Sequence, residues 1–324
     1  MTLTLILQNT LIFTIPLLIV ALAGMFAERS GIINIALDGI MIFGAFIGAL
    51  TAASLRKLAF FVDHDQVTFL VALVAAALSG AIFSLLLSFS AIKLKADQTI
   101  GGTALNLLAP ALALFFIKAI FQKDSLEMTS VRRADGPKDF ELFLGKGNDN
   151  IIYNIFGYIS TFIAIALFIL LSIWIYKTKT GLRLRSCGEH PQAAASVGIN
   201  VNRMRYLGTT ISGALAGFGG YAYIATVSGG TATDNVGGMG FLALAIMIFG
   251  NWKPLGIALG ALMFGLLKCL SVSYLRIPFL VGLGLPSYFY NMVPYVVVLI
   301  VLAFTSKHSR APKAEGIPYD KGMR

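Results

Sequence analysis

Long apolar runs recur along the whole chain, and they constrain its fold more than any other feature. A helix needs about 20 apolar residues to cross the hydrocarbon core of a bilayer. About nine runs meet or approach that length, and they cover residues 5–27, 31–55, 67–92, 98–121, 151–176, 204–228, 238–250, 254–275 and 288–305. Because backbone polar groups cannot stay unpaired in lipid, such runs form helices. The sequence therefore predicts an all-α polytopic membrane protein with about nine transmembrane helices, within a range of roughly eight to ten.

The composition agrees with lipid as the main solvent. The chain is 57% hydrophobic and 12% charged, with a mean hydropathy of +0.82. A soluble domain carries about 25% charged residues, and a chain of 324 residues has too little interior to bury this much apolar surface. No basic residue precedes the run 5–27, so we interpret it as a retained span rather than a signal peptide.

The loops carry the excess positive charge, and this charge predicts the orientation of the chain. The net charge is +10, and both loop 177–205 and the tail 306–324 are rich in lysine and arginine. The positive-inside rule places both on the cytoplasmic side. Loop 122–150 has balanced charge and is predicted to be extracytoplasmic, which leaves residues 1–305 as one transmembrane domain that starts outside. No nucleic-acid recognition motif accompanies the charge, so we expect no nucleic-acid partner.

Two pairs of segments indicate an internal repeat. Residues 35–44 resemble residues 242–250, and Asn106 lies four residues before a proline, as Asn291 lies three residues before another. In the predicted topology the paired spans cross the membrane in opposite directions. This arrangement is typical of the inverted repeats of transporters with a central pathway. The run 238–250 is also short and flanked by glycine, which indicates a tilted, broken or re-entrant element.

Residues that could carry out catalysis are sparse. The histidines His64, His190 and His308 fall in separate loops, and Cys187 and Cys269 belong to a basic loop and an apolar run. Neither set has the spacing of a metal site or a disulfide framework. No Gly-x-x-x-x-Gly-Lys-Ser/Thr phosphate loop is present, so another chain must bind ATP if transport uses it. We expect no catalytic site, no metal and no cofactor on this chain.

Loop 177–205 contains one short predicted helix. Gly188 interrupts the chain, Pro191 suits a first helical turn, and Gly198 ends the helix that residues 192–197 favour. A loop that only joined two spans could be shorter and simpler. We interpret this helix as a docking element, and the alternative is a solvated basic loop.

The same loop resembles a known motif. The segment Gly188-Glu189-His190-Pro191-Gln192-Ala193-Ala194, followed by Gly198-Ile199-Asn200, is similar to the cytoplasmic motif of ABC importer permeases of the ribose, branched-chain amino acid and nucleoside group. The resemblance covers roughly residues 20–300 and includes four further stretches, 28–39, 212–217, 238–245 and 248–254. It is strongest for the shorter permease of bacterial nucleoside importers, although Asp38 stands where that subgroup has glutamate.

The resemblance implies the fold of a type II ABC importer permease in a bacterial cytoplasmic membrane. Two permease subunits, here different chains, would enclose the pathway, ATPase subunits would dock below it, and an extracytoplasmic binding protein or lipoprotein would deliver a nucleoside. Loop 177–205 would seat in the ATPase. The residues implied at this contact are Arg183, Arg185, Gly188, Glu189, His190, Pro191, Ala193 and Ala194. A permease for ribose or another simple sugar, and an ion-coupled secondary transporter, remain the alternatives.

Polar and aromatic residues in the spans are candidates for the substrate pathway. These candidates are Asn34, Asp38, Asn106, Asn291 and Tyr288. Asn34 and Asp38 would share a helix face at i, i+4 spacing. A carboxylate in lipid is costly unless it finds partners or water, so Asp38 should face the bundle interior, where it could bind ribose hydroxyls, pin two helices or lie near the cytoplasmic gate. The amides could pair with a base or sugar and Tyr288 could stack on an aromatic substrate, with structural hydrogen bonding and packing as the alternatives.

Overall fold

α-Helices make up most of the chain in the computed structural model, which describes residues 3–128, 130–133, 136–139, 142, 158–305, 310–320 and 322. In chain order the helices are α1 (Leu3–Arg29), α2 (Leu37–Leu55), α3 (Ala59–Asp63), α4 (Asp65–Ser88), α5 (Gln98–Phe121), α6 (Ile159–Lys177), α7 (Lys179–Glu189), α8 (Pro191–Ser196), α9 (Val201–Thr226), α10 (Met239–Phe249), α11 (Pro254–Val272), α12 (Pro278–Gly282) and α13 (Ser287–Thr305). A π-helical turn, Phe89–Lys93, extends α4, and a 3-10 turn, Tyr274–Arg276, follows α11. The predicted all-α class is confirmed.

Short strands form two antiparallel pairs beside the helices. They are β1 (Leu126–Glu127) with β4 (Thr231–Ala232), and β2 (Ser130–Arg133) with β3 (Gly136–Asp139). Three of these strands belong to the predicted loop 122–150. The remainder of that loop lies largely outside the described residues.

Six helices of the described chain are long and apolar enough to cross a bilayer. They are α1, α2, α4 with its π-helical turn, α5, α6 and α11. The other predicted spans correspond to α9, which is 26 residues long but less apolar, to α10, which has only 11 residues, and to α13. The prediction of a polytopic membrane protein is confirmed, and the run 238–250 proves to be a half-length helix.

Hydrogen bonds between distant segments define one end of the bundle, which we call the basic end. It holds residues 28–33, 94–98, 178–205, 250–253 and 310–320. The predicted placement of loop 177–205 and the tail on one side is reproduced, because the Ala314 N–H donates to the Gly188 carbonyl at 2.8 Å. Leu3 lies at the opposite end, as the predicted topology requires.

The core of the bundle forms where α9 packs against α1, α2 and α4. In the apolar window of each span, 89% of α1 is buried inside the bundle, against 22% of α5 and of α6. Gly217 of α9 lies so close to α4 that a Cβ on it would collide with the Ala76 carbonyl oxygen. In lipid, such close backbone approach replaces the hydrophobic drive for helix association. Gly217 is therefore a packing position of α9.

Two non-helical segments lead into the bundle: residues 31–36 run from the basic end to α2, and residues 227–238, which include the short strand β4, run from the opposite end to α10. With 11 residues, α10 is about 16 Å long, roughly half of a hydrocarbon core of about 30 Å. Since α10 ends at the basic end, it begins near mid-depth. There its Gly240 N–H donates to the Asp38 carboxylate of α2 at 2.8 Å. The two helices then run to opposite ends, as an inverted repeat requires.

The prediction that Asn34 and Asp38 share one helix face is wrong. α2 begins only at Leu37, and Asn34 lies in the non-helical segment 31–36. Two side-chain amides of α5 form hydrogen bonds with backbone groups of this segment, and these bonds replace those that a helix would have supplied. Side-chain competition of this kind was not visible in the local sequence.

Substitution of Gly217 by valine tests the packing of α9. We expect Gly217→Val to destabilise the protein, because the new side chain must push α9 away from Ala76, and overpacking costs about 1–3 kcal/mol. The thermal midpoint of the detergent-solubilised protein measures this effect. Gly282→Val is the matched control, since a Cβ at Gly282 meets no neighbour within 4 Å. Equal midpoints for the two variants would contradict the packing role.

Candidate functional site

Two helices, α7 and α8, form most of the loop 177–205. His190 between them is non-helical, with φ −143° and ψ 86°, and Pro191 occupies the first turn of α8. The predicted short helix is therefore present. The predicted break at Gly188 is wrong, because α7 continues through it. Glycine serves packing there, since a Cβ would collide with the carbonyl oxygen of Arg29.

The residues implied at a partner contact divide by their exposure. Exposed or partly exposed are Arg183, Arg185, Glu189, His190 and Ala193, whereas Gly188, Pro191 and Ala194 are buried. Sequence reasoning missed two apolar neighbours, Leu182 and Val197, which are 61% and 75% exposed. Val197 follows the last residue of α8 and lies four residues after Ala193, and this i, i+4 spacing is the signal that could have identified Val197. Because these side chains are exposed, α7 and α8 form a surface that the described part of the chain does not cover.

A groove of about 1060 Å³ runs between α7, α8 and the first turns of α9. Leu182 and Val197 line it, together with the basic residues Lys179, Arg183 and Arg203. Arg185 is held differently, because its guanidinium lies 4.8 Å above the ring of Tyr176 on α6. The groove therefore combines apolar contact area with positive charge.

Arg29 joins this loop to the end of α10. Its Nη1 lies 3.6 Å from Glu189 Oε1, and its Nη2 donates to the Trp252 carbonyl at 3.0 Å. The Trp252 indole N–H in turn donates to the buried carboxylate of Glu28. Asn251 and Trp252 adopt left-handed φ values of 57° and 53°, a region that non-glycine residues sparsely occupy. The contacts of Glu28 and Arg29 thus hold a strained turn after α10.

The described part of the tail is docked across the basic end. The Gly316 N–H donates to the Gly31 carbonyl at 3.3 Å. Arg205 of α9, which is 1% exposed, donates to the Ile317 carbonyl at 3.0 Å. Together with the contact to Gly188, these bonds tie the tail to α7, to α9 and to the segment after α1.

A pair of carboxyl groups lies where the tail meets α1. The carboxyl groups of Glu315 in the tail and Glu28 in α1 lie close enough to interact, and two carboxyl groups this close cannot both be ionised without repulsion. Burial raises the pKa of Glu315 from 4.5 to about 7, although the bond to Glu28 and the charge of Arg29 act in the opposite direction. Docking of the tail therefore depends on a proton near neutral pH.

Asp38 connects the two helices that begin at mid-depth. It lies in the first turn of α2 and is 9% exposed. Its Oδ1 accepts the hydrogen bond from Gly240, and the first N–H groups of a helix have no partner within the helix. The carboxylate also interacts favourably with the positive end of the α10 dipole. The alternative in which Asp38 pins two helices is thus observed, and its substrate role stays a prediction.

The amides of Asn106 and Asn34 are used inside the chain. Asn106 Nδ2 donates to the Ile35 carbonyl at 2.8 Å, and its Oδ1 accepts from the Gly39 N–H at 2.7 Å. Asn34 Nδ2 donates to Ser212 Oγ of α9 at 2.8 Å. These bonds favour the structural interpretation of both residues over a direct substrate contact.

Asn291 and Tyr288 lie in the first turns of α13, toward the end opposite the basic end. Asn291 Oδ1 accepts from Ser271 Oγ of α11 at 3.2 Å. Tyr288 is 76% exposed. The structure does not bring either residue to Asp38, and their roles stay predictions.

Residues with metal-binding or nucleophilic side chains are dispersed. Within the described ranges, no group of three or more His, Cys, Asp or Glu could hold a metal ion. Cys187 and Cys269 are both buried and are not bonded to each other. Burial raises the pKa of the Cys187 thiol, which keeps it in its unreactive form.

The chain is similar to known proteins over almost its whole length. The family model described as "Branched-chain amino acid transport system / permease component" matches residues 6–302. "Guanosine ABC transporter permease protein NupQ" of Bacillus subtilis is 38% identical over 99% of this chain and 98% of its own length. "Nucleoside ABC transporter permease protein NupC" of Lactococcus lactis is 39% identical over 99% and 98%. "Putative glucose ABC transporter permease protein TsgC13" of Haloferax volcanii is 26% identical over 79% and 73%. No solved structure matches the chain.

The protonation of Glu315 predicts how tail docking depends on pH. The docked carboxyl has a raised pKa of about 7, so docking is strongest below the ordinary value of 4.5 and weakens as the pH rises through about 7. A cysteine at the buried position Ala314, in a background without the native cysteines, should become more reactive toward a thiol reagent over this range.

The control for this experiment is Glu315→Gln in the same background, because glutamine does not titrate. The thiolate fraction of the reporter cysteine rises equally in both proteins. The ratio of their rates of reaction with the thiol reagent therefore reports only on the docking of the tail. A ratio that stays constant from pH 5 to about 8 would contradict the role of Glu315.

Proposed function

The chain belongs to the permease-component family of branched-chain amino acid transport systems, and we propose that it is the membrane-spanning subunit of an ATP-driven nucleoside importer. The similarity to NupQ and NupC carries this proposal. It extends over nearly the full length of all three chains, and the printed names of both relatives assign them guanosine or nucleosides. On this chain no phosphate loop is present in the sequence, so separate ATPase subunits would bind and hydrolyse ATP.

The surface of α7 and α8 is proposed to contact the ATPase subunit. Two features support this: the exposed apolar side chains of Leu182 and Val197, and the groove with its basic rim. His190 and Ala193 lie on the exposed side of the same surface. An apolar surface rimmed by polar groups at the aqueous end of a membrane protein is best explained by a protein partner. The buried residues Pro191 and Ala194 would shape α8 rather than touch the partner.

The basic end is proposed to face the cytoplasm. It collects the positive charges of loop 177–205 and of the tail, and cytoplasmic loops of membrane proteins are enriched in lysine and arginine. This orientation places the tail 306–324 inside and the β1–β4 strand pair outside. It also puts the α7–α8 surface where ATP is available.

A second permease subunit and an extracytoplasmic binding protein would complete the importer. α5 and α6 contribute little to the core of this chain, and α5 exposes large apolar side chains such as Leu107 (77%) and Phe115 (63%). Such faces require lipid or another permease subunit. The second subunit would supply the other wall of the pathway, and a lipoprotein or binding protein would deliver the nucleoside from outside.

A sugar importer is the second candidate. The relative TsgC13 is named as a putative glucose permease, so the family includes a named sugar permease. Its identity to this chain is 26%, against 38% and 39% for the relatives named for guanosine and nucleosides. Nucleosides therefore remain the first choice of cargo.

Uptake of radiolabelled cargo tests the proposed function. Cells that lack the gene should take up labelled guanosine more slowly than the parent strain, and uptake should return with the wild-type gene. Labelled ribose and glucose are measured in the same strains to separate the two candidates. Equal guanosine uptake with and without the gene, in a strain without other nucleoside transporters, would refute the nucleoside proposal.

Substitution of Ala193 by arginine tests the ATPase contact. Ala193 is exposed on α8, so arginine does not disturb the core but blocks close approach of a partner. We expect Ala193→Arg to reduce the amount of ATPase that copurifies by about tenfold, as loss of one central interface contact typically does. Ala311→Arg is the control, because Ala311 is also exposed at the basic end but lies outside the groove. Equal copurification of the ATPase with both variants would place the contact elsewhere.

A further inference from the structure

We infer that the break before α10 carries a binding site for the ribose hydroxyls and the base of a nucleoside, formed by Asp38, Tyr223, Tyr295 and Phe241. The inference rests on the proposed function and adds the residues that recognise the cargo. Tyr223 and Tyr295 lie outside the stretches that carry the family resemblance, whereas Phe241 belongs to the stretch 238–245. The structure places the hydroxyls of Tyr223 and Tyr295 against Gly237, three residues before the Gly240 that binds Asp38, and Phe241 is the next residue after Gly240.

The position of the break provides the first argument. Non-helical backbone at membrane depth is tolerated only where protein buries it or where it lines a polar cavity. Gly237 and Gly238 have left-handed φ values of 65° and 66°, and Gly237 is exposed. The backbone just before α10 is therefore not fully covered by this chain. It faces a space that water or a polar ligand must fill.

The carboxylate of Asp38 provides the second argument. The residue is only 9% exposed. Its Oδ1 accepts a hydrogen bond from the Gly240 N–H. Within the described residues no hydrogen bond reaches Oδ2, and this atom is not among the fully buried ones. A carboxylate oxygen at this depth requires a hydrogen-bond donor. A ribose hydroxyl is such a donor.

Aromatic side chains surround the same backbone. The Tyr295 hydroxyl donates to the Gly237 carbonyl at 2.8 Å, and the Tyr223 hydroxyl lies 3.2 Å from the position that a Cβ of Gly237 would take. Phe241, next to Gly240, is 51% exposed. An exposed phenylalanine ring at the start of α10 suits the flat face of a base.

The combination restricts the chemical class of the ligand. The negative charge of Asp38 repels phosphate groups, so the site favours a neutral nucleoside over a nucleotide. The ring of Phe241 favours a ligand with an aromatic base over a simple sugar. A ribose hydroxyl can donate a hydrogen bond to Asp38 Oδ2. A nucleoside that lacks this hydroxyl leaves Asp38 Oδ2 without a hydrogen-bond partner.

Transport of hydroxyl-deficient nucleosides by an Asp38→Asn variant tests the site. Asparagine has the same shape and keeps an oxygen for the Gly240 N–H, so α10 retains its cap. In vesicles with the complete importer, the wild type should transport guanosine faster than its 2′-deoxy or 3′-deoxy analogue. Asp38→Asn should lower this preference by about tenfold for at least one analogue, because the amide nitrogen that replaces Oδ2 cannot accept a hydrogen bond from the hydroxyl.

Asp124→Asn is the matched control, since Asp124 is an exposed acid outside the spans. The same extracytoplasmic binding protein is present in all samples. A changed preference for guanosine over its deoxy analogues is therefore caused by the substitution in this chain. If Asp38→Asn transports guanosine with the wild-type preference, the inferred site is overturned while the proposed function stands. If the wild-type complex shows no ATP-dependent guanosine uptake, the proposed function itself fails.

A second variant decides the case in which Asp38→Asn transports nothing. Phe241→Leu removes the ring from an exposed position and leaves Asp38 in place. We expect it to lower guanosine uptake by about tenfold, the effect of losing one stacking contact. Guanosine uptake at the wild-type rate in Phe241→Leu would then overturn the site.

Discussion

Every backbone N–H and C=O group within the membrane needs a partner, and the rest of this structure depends on how the chain meets that requirement where it is not helical. At the break before α2, side chains of α5 take the place of helical hydrogen bonds: Gln98 accepts from Ile33, and Asn106 binds both Ile35 and Gly39. At the break before α10, Asp38 does the same for Gly240. These polar residues fix where helices α2 and α10 begin, and the unwound backbone they stabilise lies at the depth where cargo must pass.

The basic end and the mid-depth break are connected through one short helix. α10 is attached at its first turn to Asp38, and the turn after its last residue is attached to Glu28 and Arg29. Arg29 is also within 3.6 Å of Glu189, the last residue of α7. The surface proposed to contact the ATPase is thus linked to the inferred site by an ion pair and an 11-residue rigid element. The docked tail braces the same region through Gly31, Gly188 and Arg205.

The sequence predicts features that depend on neighbouring residues, but it does not predict hydrogen bonds between residues that are far apart along the chain. Apolar runs predict the spans because the solvent acts on each run locally, and Pro191 and Gly198 predict α8 because capping is local as well. The sequence predicts Asn34 on a helix, yet the Asn34 amide binds Ser212, which is 178 positions away along the chain. The role of Glu28 and Arg29 was hidden for the same reason, although both belong to a stretch that resembles the family signature. No local pattern in the sequence predicts that Glu28 and Arg29 bind Trp252.

The left-handed turn at Asn251 and Trp252 attaches one end of α10 to the basic end, so any rotation of α10 about this turn would act over the whole length of the helix. α10 is about 16 Å long, so a tilt of about 10° at this turn displaces its far end by about 3 Å. Gly240 and Asp38 are 2.8 Å apart, and a displacement of that size separates donor and acceptor completely. A rotation of α10 by that amount would therefore separate the Gly240 N–H from the carboxylate of Asp38. Binding of the cargo at Asp38 and contact with the ATPase at the basic end would then be coupled through the position of one helix, α10.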